Sequence, residues 1–447
     1  MMCDHGGVSA WEGIMPDCLE LPEGVGEAMP AAMPAGGIGT LSKICDIYDW
    51  FDPAVDHILR RCLRVMPGAN RRSWEFAMIY LALHRAGVLV PGAEGLGMGV
   101  GTERLIYALA ERVGRVRATD LYAPGSAWVG VRTDDPQALV EAKAPWPLAP
   151  GRVLAERADM RALPHGENSV DFAWSTGAFE HIGDDTDFVA HLDEVERVLR
   201  PGGIYAFTTV VSLERETSRI PHNYYFHPEH LVDLMHASRL APEPVFDCRL
   251  AEHHMNRPMP EGLAGHEIGG MEGHLHAVVA LRRGVVNVAN VAVLQKAPKG
   301  ARPVVLGLDA TRAWTTRAAR AHTRRFWADW RPVALRPSGG GAGSEGQAGG
   351  GPAGATSAAL HFGRARVEVA LDDTRPEEGP VTLSLRAKDR ISPGRSETVA
   401  RRDGLGRDHG HRFAADPERT YAFSVAREGG APLRGLRLRV RHVPRDR

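Results

Sequence analysis

The chain has 447 residues, 43% of them hydrophobic and 24% charged, with a formal net charge of −1. That length can bury the cores of two or three domains, and that charge gives no field to hold nucleic acid. No apolar run approaches the ~20 residues of a spanning helix, and no basic segment precedes an apolar one at the start, so integral membrane association and a secretory leader are not expected.

Residues 1–40, rich in Gly, Pro, Met and Ala, read as a poorly ordered leader. Apolar residues then recur at helical spacing through Ile44, Ile47, Tyr48, Phe51, Ile58, Cys62 and Val65. A further helix over Ser73–Ala86, apolar round much of its circumference, should be buried, with Trp74 and Phe76 as core. This helical cover spans residues 41–90.

An alternation of strand-like and helix-like segments follows, the pattern of a parallel α/β sheet. Val88–Val90 leads toward a first strand. Next comes Glu94-Gly-Leu-Gly97-Met-Gly99-Val-Gly101-Thr-Glu103, a glycine-rich stretch ahead of a helix over Thr102–Arg112, where backbone can approach a ligand and N–H groups are open. Further strands are expected at Val116–Asp120, Val153–Met160, Val170–Ser175, Ile204–Val211 and His276–Leu281, with helices at Asp187–Leu199 and Pro228–Ser238. The long connections 122–152 and 212–227 lie beyond strand C-termini, where open α/β sheets place ligands. This core is bounded at residues 91–285.

Residues 286–337 read as a connecting segment whose helix, Asp309–Trp330, presents Arg312, Arg317, Arg320, Arg324 and Arg325 as a solvated face. Residues 338–356 form a Gly/Ala/Ser linker. In 357–447, apolar residues alternate with period two, as in Val367, Val369 and Leu371, or Tyr421, Phe423 and Val425. A small antiparallel β-sandwich with Arg437, Arg439 and Arg441 on its polar face is expected. It carries no catalytic constellation and reads as a binding or assembly module. Five scattered cysteines without C-x-x-C spacing fit reduced thiols in a cytoplasmic protein.

Residues 88–211 resemble the class I S-adenosylmethionine-dependent methyltransferases, in their small-molecule, type 11-like branch. Five ordered features carry the resemblance: Gly97-Met-Gly99-Val-Gly101; Asp120 at the end of the second strand; Asp159-Met160 with Leu163-Pro164; Val170-Asp-Phe-Ala-Trp-Ser-Thr-Gly-Ala-Phe-Glu-His-Ile182; and Glu194-Val-Glu-Arg-Val-Leu-Arg-Pro-Gly-Gly203. It implies a Rossmann-like, mostly parallel sheet with helices on both faces. It also implies S-adenosyl-L-methionine as cofactor, held by Gly97, Gly99, Gly101, Glu103, Asp120, Leu121, Asp159, Met160 and Ser175. Asp120 would take the ribose hydroxyls and Asp159 the adenine amino group, with Met160 against the ring.

One departure stands out. The family's acidic residue, two positions before the first glycine of the triplet, is Gly95 here. A local bulge could bring in Glu94, or Glu103 could take its place at the methionine amino group, where a favourable interaction with its own helix N-terminus is the alternative. The acceptor is expected to be a small molecule or a glycan hydroxyl, the latter by analogy with β-modules that hold carbohydrate. His181 is the expected general base, with Glu180 second, and His222, Tyr224, Tyr225 and His227 could line the acceptor pocket. No resident metal is expected, although His222, His227 and His230 form an alternative cluster. A non-catalytic cofactor-binding scaffold and a nucleotide-dependent oxidoreductase or epimerase are the competing readings.

Overall fold

The computed structural model describes residues 36–443 apart from 69, 124–128, 221–222, 261–277, 283–284, 327–330, 334, 338–353, 358–359, 361, 363–364, 374–380, 390–395, 406–408, 417–418 and 428–435. Most of the expected leader and linker, together with His222, thus lie outside the described residues.

The chain enters through the two-residue strand β1 (Lys43–Ile44) and the short helix α1 (Pro53–His57). Asp52 caps α1, accepting the Ala54 N–H at 2.8 Å through Oδ1, while its Oδ2 accepts the N–H groups of Gly37 and Ile38. Helix α2 (Arg71–Arg85) starts at Asn70, whose side chain accepts the Ser73 N–H. As its composition predicts, α2 is buried on most sides. Trp74 is fully buried and donates its indole N–H to Asp49 at 2.9 Å.

The alternating region gives β2 (Glu94–Met98), α3 (Arg104–Ala110), β3 (Arg115–Asp120), α4 (Pro136–Ala142), β4 (Val153–Arg157), β5 (Val170–Thr176), α5 (Asp185–Val198) and β6 (Leu199–Ser212). After a small hairpin, β7 (Ser218–Ile220) and β8 (Asn223–Tyr225), come α6 (Pro228–Ala237), β9 (Ala241–Pro242), β10 (Val245–Asp247), β11 (Met259–Pro260), β12 (Val279–Arg282), β13 (Val285–Gln295), β14 (Val304–Leu306) and α7 (Leu308–Phe326).

The main sheet runs β14-β10-β1-β13-β6-β5-β2-β3-β4. From β4 to β6 all neighbours are parallel. β13 runs antiparallel to both β6 and β1, and β1, β10 and β14 are parallel to one another. Every strand of this path except β13 therefore ends at the same edge. The chain winds outward from β2 through β3 to β4 and returns to β5 on the other side of β2. This places the topological switch point, where such sheets open a crevice, at the C-terminal ends of β2 and β5.

Three boundaries differ from expectation. The first strand begins at Glu94, not Val88, because Gly92 turns the chain with φ +95° before it can enter the sheet. Its glycines are poor strand formers, but ladders on both sides hold them. The connection 122–152 contains helix α4, capped by Asp135, whose side chain accepts the Ala138 N–H. The expected limit at residue 285 falls within the sheet, because β13 pairs with β6 along its whole length from Asn287 to Gln295. Its near-continuous run, Val285-Val-Asn-Val-Ala-Asn-Val-Ala-Val-Leu, is buried on both faces and so lacks the alternation that marks a half-exposed strand.

Beyond α7, two antiparallel sheets form. One runs Arg331–Val333, Leu436–Val443, Ala365–Asp373, His409–Ala415; the other runs Leu335–Pro337, Gly354–Ser357, Arg419–Arg427, Val381–Asp389, Glu397–Leu405. The alternating residues Val367, Val369, Leu371, Leu383, Phe423 and Val440 pack into one core, separate from that of the main sheet. Helix α7 begins at Leu308 and buries Leu308, Thr311, Thr315 and Ala319, leaving Arg317 and Arg320 exposed.

Candidate active site

Five of the expected residues meet at the switch point. Gly97 ends its contact with β5 directly against the Trp174 indole, so any side chain there would collide with the ring. Gly99 and Gly101 turn the loop with φ of +64° and +51°, values that favour glycine. A Cβ at Gly99 would lie 2.5 Å from that of Ala178, and one at Gly101 would lie 2.7 Å from Val131.

Asp120, the last residue of β3, faces this loop. Its Oδ2 accepts the Gly101 N–H at 3.0 Å and its Oδ1 the Leu121 N–H at 2.7 Å. An ionised carboxylate offers about four lone-pair directions, so acceptor capacity remains. Burial raises its pKa, against the lowering effect of the backbone N–H donors. Tyr122, two residues on, adopts φ +42° and donates its hydroxyl to the Gly101 carbonyl at 2.6 Å. Asp120 and Tyr122 thus hold the N–H and the carbonyl of one residue, Gly101.

Glu94 and Glu103, the two candidate substitutes for the absent acid, sit in different places. Glu94 lies at the start of β2, at the opposite edge of the sheet. There it pairs with Arg115 at 3.1 Å, and its N–H donates to Asp171. The β2–β3 register is unbroken from Glu94 to Met98, so there is no bulge. Gly95 itself cannot give way to an acid, because the Phe172 ring fills the space beside its Cα. Glu103 instead caps no N–H of α3 and reaches across to β5. Its Oε1 accepts Trp174 Nε1–H at 2.7 Å and the Thr176 hydroxyl at 3.2 Å. Burial pushes its pKa up to about 8, despite Trp174, Arg72 and Thr176 acting to lower it.

Arg72 from α2 enters this edge. It donates to the Thr176 carbonyl at 3.2 Å, pairs with Glu75 at 2.8 Å, and feels the charges of Glu103 and Glu180. Trp174, Thr176, Arg72 and Tyr122 were not singled out for the site from sequence. Trp174 and Thr176 stand inside the quoted fifth-strand motif. Tyr122 offered no pattern, and Arg72 comes from a distant helix with no local signal.

The remaining expected residues are spread more widely. Leu121 is 54% exposed beside Asp120. Asp159 is gripped by Arg161, Nε to Oδ1 at 3.0 Å and Nη2 to Oδ2 at 2.7 Å, which lowers its pKa. Met160 is buried, and its carbonyl accepts from His191 Nδ1 at 2.9 Å. A carbonyl only accepts, so Nδ1 carries the hydrogen, and Nε2 accepts the Tyr205 hydroxyl at 2.8 Å. Burial holds His191 down at about 4. Ser175 is fully buried beside Tyr205.

His181 ends the 3₁₀ turn Phe179–His181 after β5. Its Nε2 stands 4.0 Å from Glu180 Oε1, and Thr209 donates its hydroxyl to the other oxygen of that carboxylate at 2.8 Å. The histidine cluster considered as a metal site is divided: His227 caps α6 and meets Arg312, while His230 meets Thr217 and Asp185.

A family model described as a methyltransferase domain matches residues 96–207, from the middle of β2 into β6. Over residues 96–207 the chain is thus similar to methyltransferase domains. Malonyl-[acyl-carrier protein] O-methyltransferase of Salmonella typhimurium is 47% identical over 53 residues, 12% of this chain and 20% of that protein. The chain thus aligns with only a fifth of that relative's length. Among solved structures, a putative sarcosine dimethylglycine methyltransferase from Galdieria sulphuraria aligns at 17% identity and TM-score 0.33, over 50% of this chain and 85% of that one. Geranyl diphosphate C-methyltransferase from Streptomyces coelicolor A3(2) aligns at 16% identity and TM-score 0.35, over 49% and 77%. The sheet continues beyond the matched segment, because β13 pairs with β6 and is followed by β1, β10 and β14. Among the described residues, no helix is long and apolar enough to cross a membrane.

Proposed function

We propose that this chain is an S-adenosylmethionine-dependent methyltransferase whose acceptor is a hydroxyl of a small molecule or glycan. The observation that carries the reading is the pair of carboxylates flanking one glycine loop at the switch point, Asp120 on Gly101 and Glu103 on Trp174 and Thr176. The residues present fit the cofactor. The positive-φ glycines leave the main chain open, Asp120 retains acceptor capacity for ribose hydroxyls, and Glu103 is placed to hold an ammonium group. Bound there, S-adenosylmethionine supplies an electrophilic methyl group. The protein's part is then alignment and exclusion of water.

His181 is the base in this reading, its imidazole taking the proton from the acceptor hydroxyl and Glu180, 4.0 Å from its Nε2, stabilising the imidazolium. Thr209 fixes Glu180 for that task. Asp159 would receive the adenine amino group only through an oxygen it shares with Arg161, so its part is smaller than that of Asp120. The β-module would hold a carbohydrate chain or a second subunit, and the enzyme would work in the cytoplasm.

The test is incubation of the protein with a cell extract and isotopically labelled S-adenosylmethionine, with mass-spectrometric detection of the labelled product. Transfer should occur with wild type and fall by about a hundredfold or more with His181→Ala. Unchanged turnover of that variant across pH would remove His181 from the mechanism.

A further inference from the structure

A second concavity opens at the same edge of the sheet, away from the glycine loop. It has a volume of about 430 Å³ and is lined by Arg215 from the loop after β6, His227 at the start of α6, and Gly307, Asp309 and Arg312 from the β14–α7 junction. That size is ordinary for a small-molecule site.

Its hydrogen-bond inventory is unbalanced. Arg215 is exposed and has no hydrogen-bond or ion-pair partner among the described residues. The Arg312 Nε–H is buried without an acceptor. His227 faces donors on both sides, the Glu229 N–H at its Nδ1 and an Arg312 Nη2–H at 2.9 Å from its Nε2. Burial and Arg312 hold the ring neutral by lowering its pKa. A neutral imidazole carries one hydrogen, so one of its nitrogens presents N–H to N–H.

The two carboxylates on the wall do not make up the deficit. Glu229 is engaged by Arg302 at 2.6 Å. Asp309 reaches Arg312 at 3.2 Å from a side chain that is 96% exposed, a pairing of little strength. Donors outnumber acceptors, and two guanidinium groups are the natural partners of a phosphate or carboxylate.

We infer that this cavity binds the phosphate or carboxylate group of a small molecule, through Arg215 and Arg312 beside His227. This deepens the reading above and rests on it in one respect only: the anion would belong to the methyl acceptor, which makes that acceptor an anionic metabolite.

The test is calorimetric titration of the full chain at low salt with inorganic pyrophosphate and, separately, citrate, to distinguish phosphate from carboxylate. One site per chain should be found for at least one probe. Arg215→Ala, an exposed change that leaves folding intact, and Arg312→Ala should each weaken it about tenfold or more, with Arg312→Lys weakening it less. S-adenosylhomocysteine affinity, measured alongside, should stay unchanged in all three variants. Failure of both probes to bind wild type, or equal binding by Arg215→Ala, overturns the inference even if S-adenosylhomocysteine binds. Probe binding without S-adenosylhomocysteine binding would leave the anion site standing and overturn the methyltransferase reading instead.

Discussion

Glu103 carries a measurable consequence of its burial. With its pKa held up to about 8, the carboxyl is largely protonated at pH 7 in the free protein. A ligand ammonium group favours the ionised form, so binding should release a proton, and affinity should rise as pH increases toward 8. Titrations of S-adenosylhomocysteine at pH 7 in buffers of different ionisation enthalpy should therefore give different apparent heats. The difference should vanish in Glu103→Gln; equal heats for wild type would take Glu103 away from the ammonium end. His191 supplies a second pH signature, this time in stability. Its folded pKa of about 4 lies below the ordinary 6.5. The unfolded chain thus takes up a proton first, and the contribution of His191 is complete above pH 6.5 and lost as pH falls toward 4. The melting temperature of wild type should drop more over that window than that of His191→Gln. An equal drop would show that His191 is not held neutral. Asp120 was legible in the sequence because its role needs only a strand end about twenty residues after a glycine loop. His191 was not, since the Met160 carbonyl and Tyr205 hydroxyl that define it come from other elements.

Helix α2 is more than a cover. Its N-terminal turn brings Arg72 onto the Thr176 carbonyl, among Glu75, Glu103 and Glu180. Arg72→Ala removes a charge that lowers the Glu103 pKa, so the pH midpoint of S-adenosylhomocysteine affinity should move upward. A midpoint that does not move would confine Arg72 to packing. Strand β13 shows why part of the fold was hidden. The strands β3, β5 and β6 announced themselves through short apolar runs between turn residues. The run in β13 is equally apolar, but it follows a change in composition near residue 285 that makes it read as part of a connection. Its place between β6 and β1 is set by long-range pairing that no local pattern records. The glycine loop misled in the opposite sense: its strand begins inside the glycine-rich stretch, where β-propensity is poor and only neighbouring strands sustain it.

Among the described residues, the two large hydrophobic cores are separate, one built around the main sheet and α2, the other within the two C-terminal sheets. The antiparallel module was legible because stretches such as Val367–Leu371 and Val381–Ala387 alternate between buried and more exposed residues; what either face meets was not, because pattern reveals a face without revealing what covers it. Ending the chain at Phe326 should preserve a cooperative melt and S-adenosylhomocysteine affinity. Ending it at Val285 should abolish folding, because β6 would lose its neighbour and expose a long apolar edge. A large loss of affinity in the longer truncation would make the C-terminal module part of the catalytic unit. The cofactor site itself is tested most directly by calorimetric titration of S-adenosylhomocysteine and NAD into wild type and Asp120→Ala. The account predicts that S-adenosylhomocysteine binds wild type, that NAD does not, and that Asp120→Ala weakens binding about tenfold or more. Binding of NAD without S-adenosylhomocysteine, or equal S-adenosylhomocysteine affinity in Asp120→Ala, would contradict it.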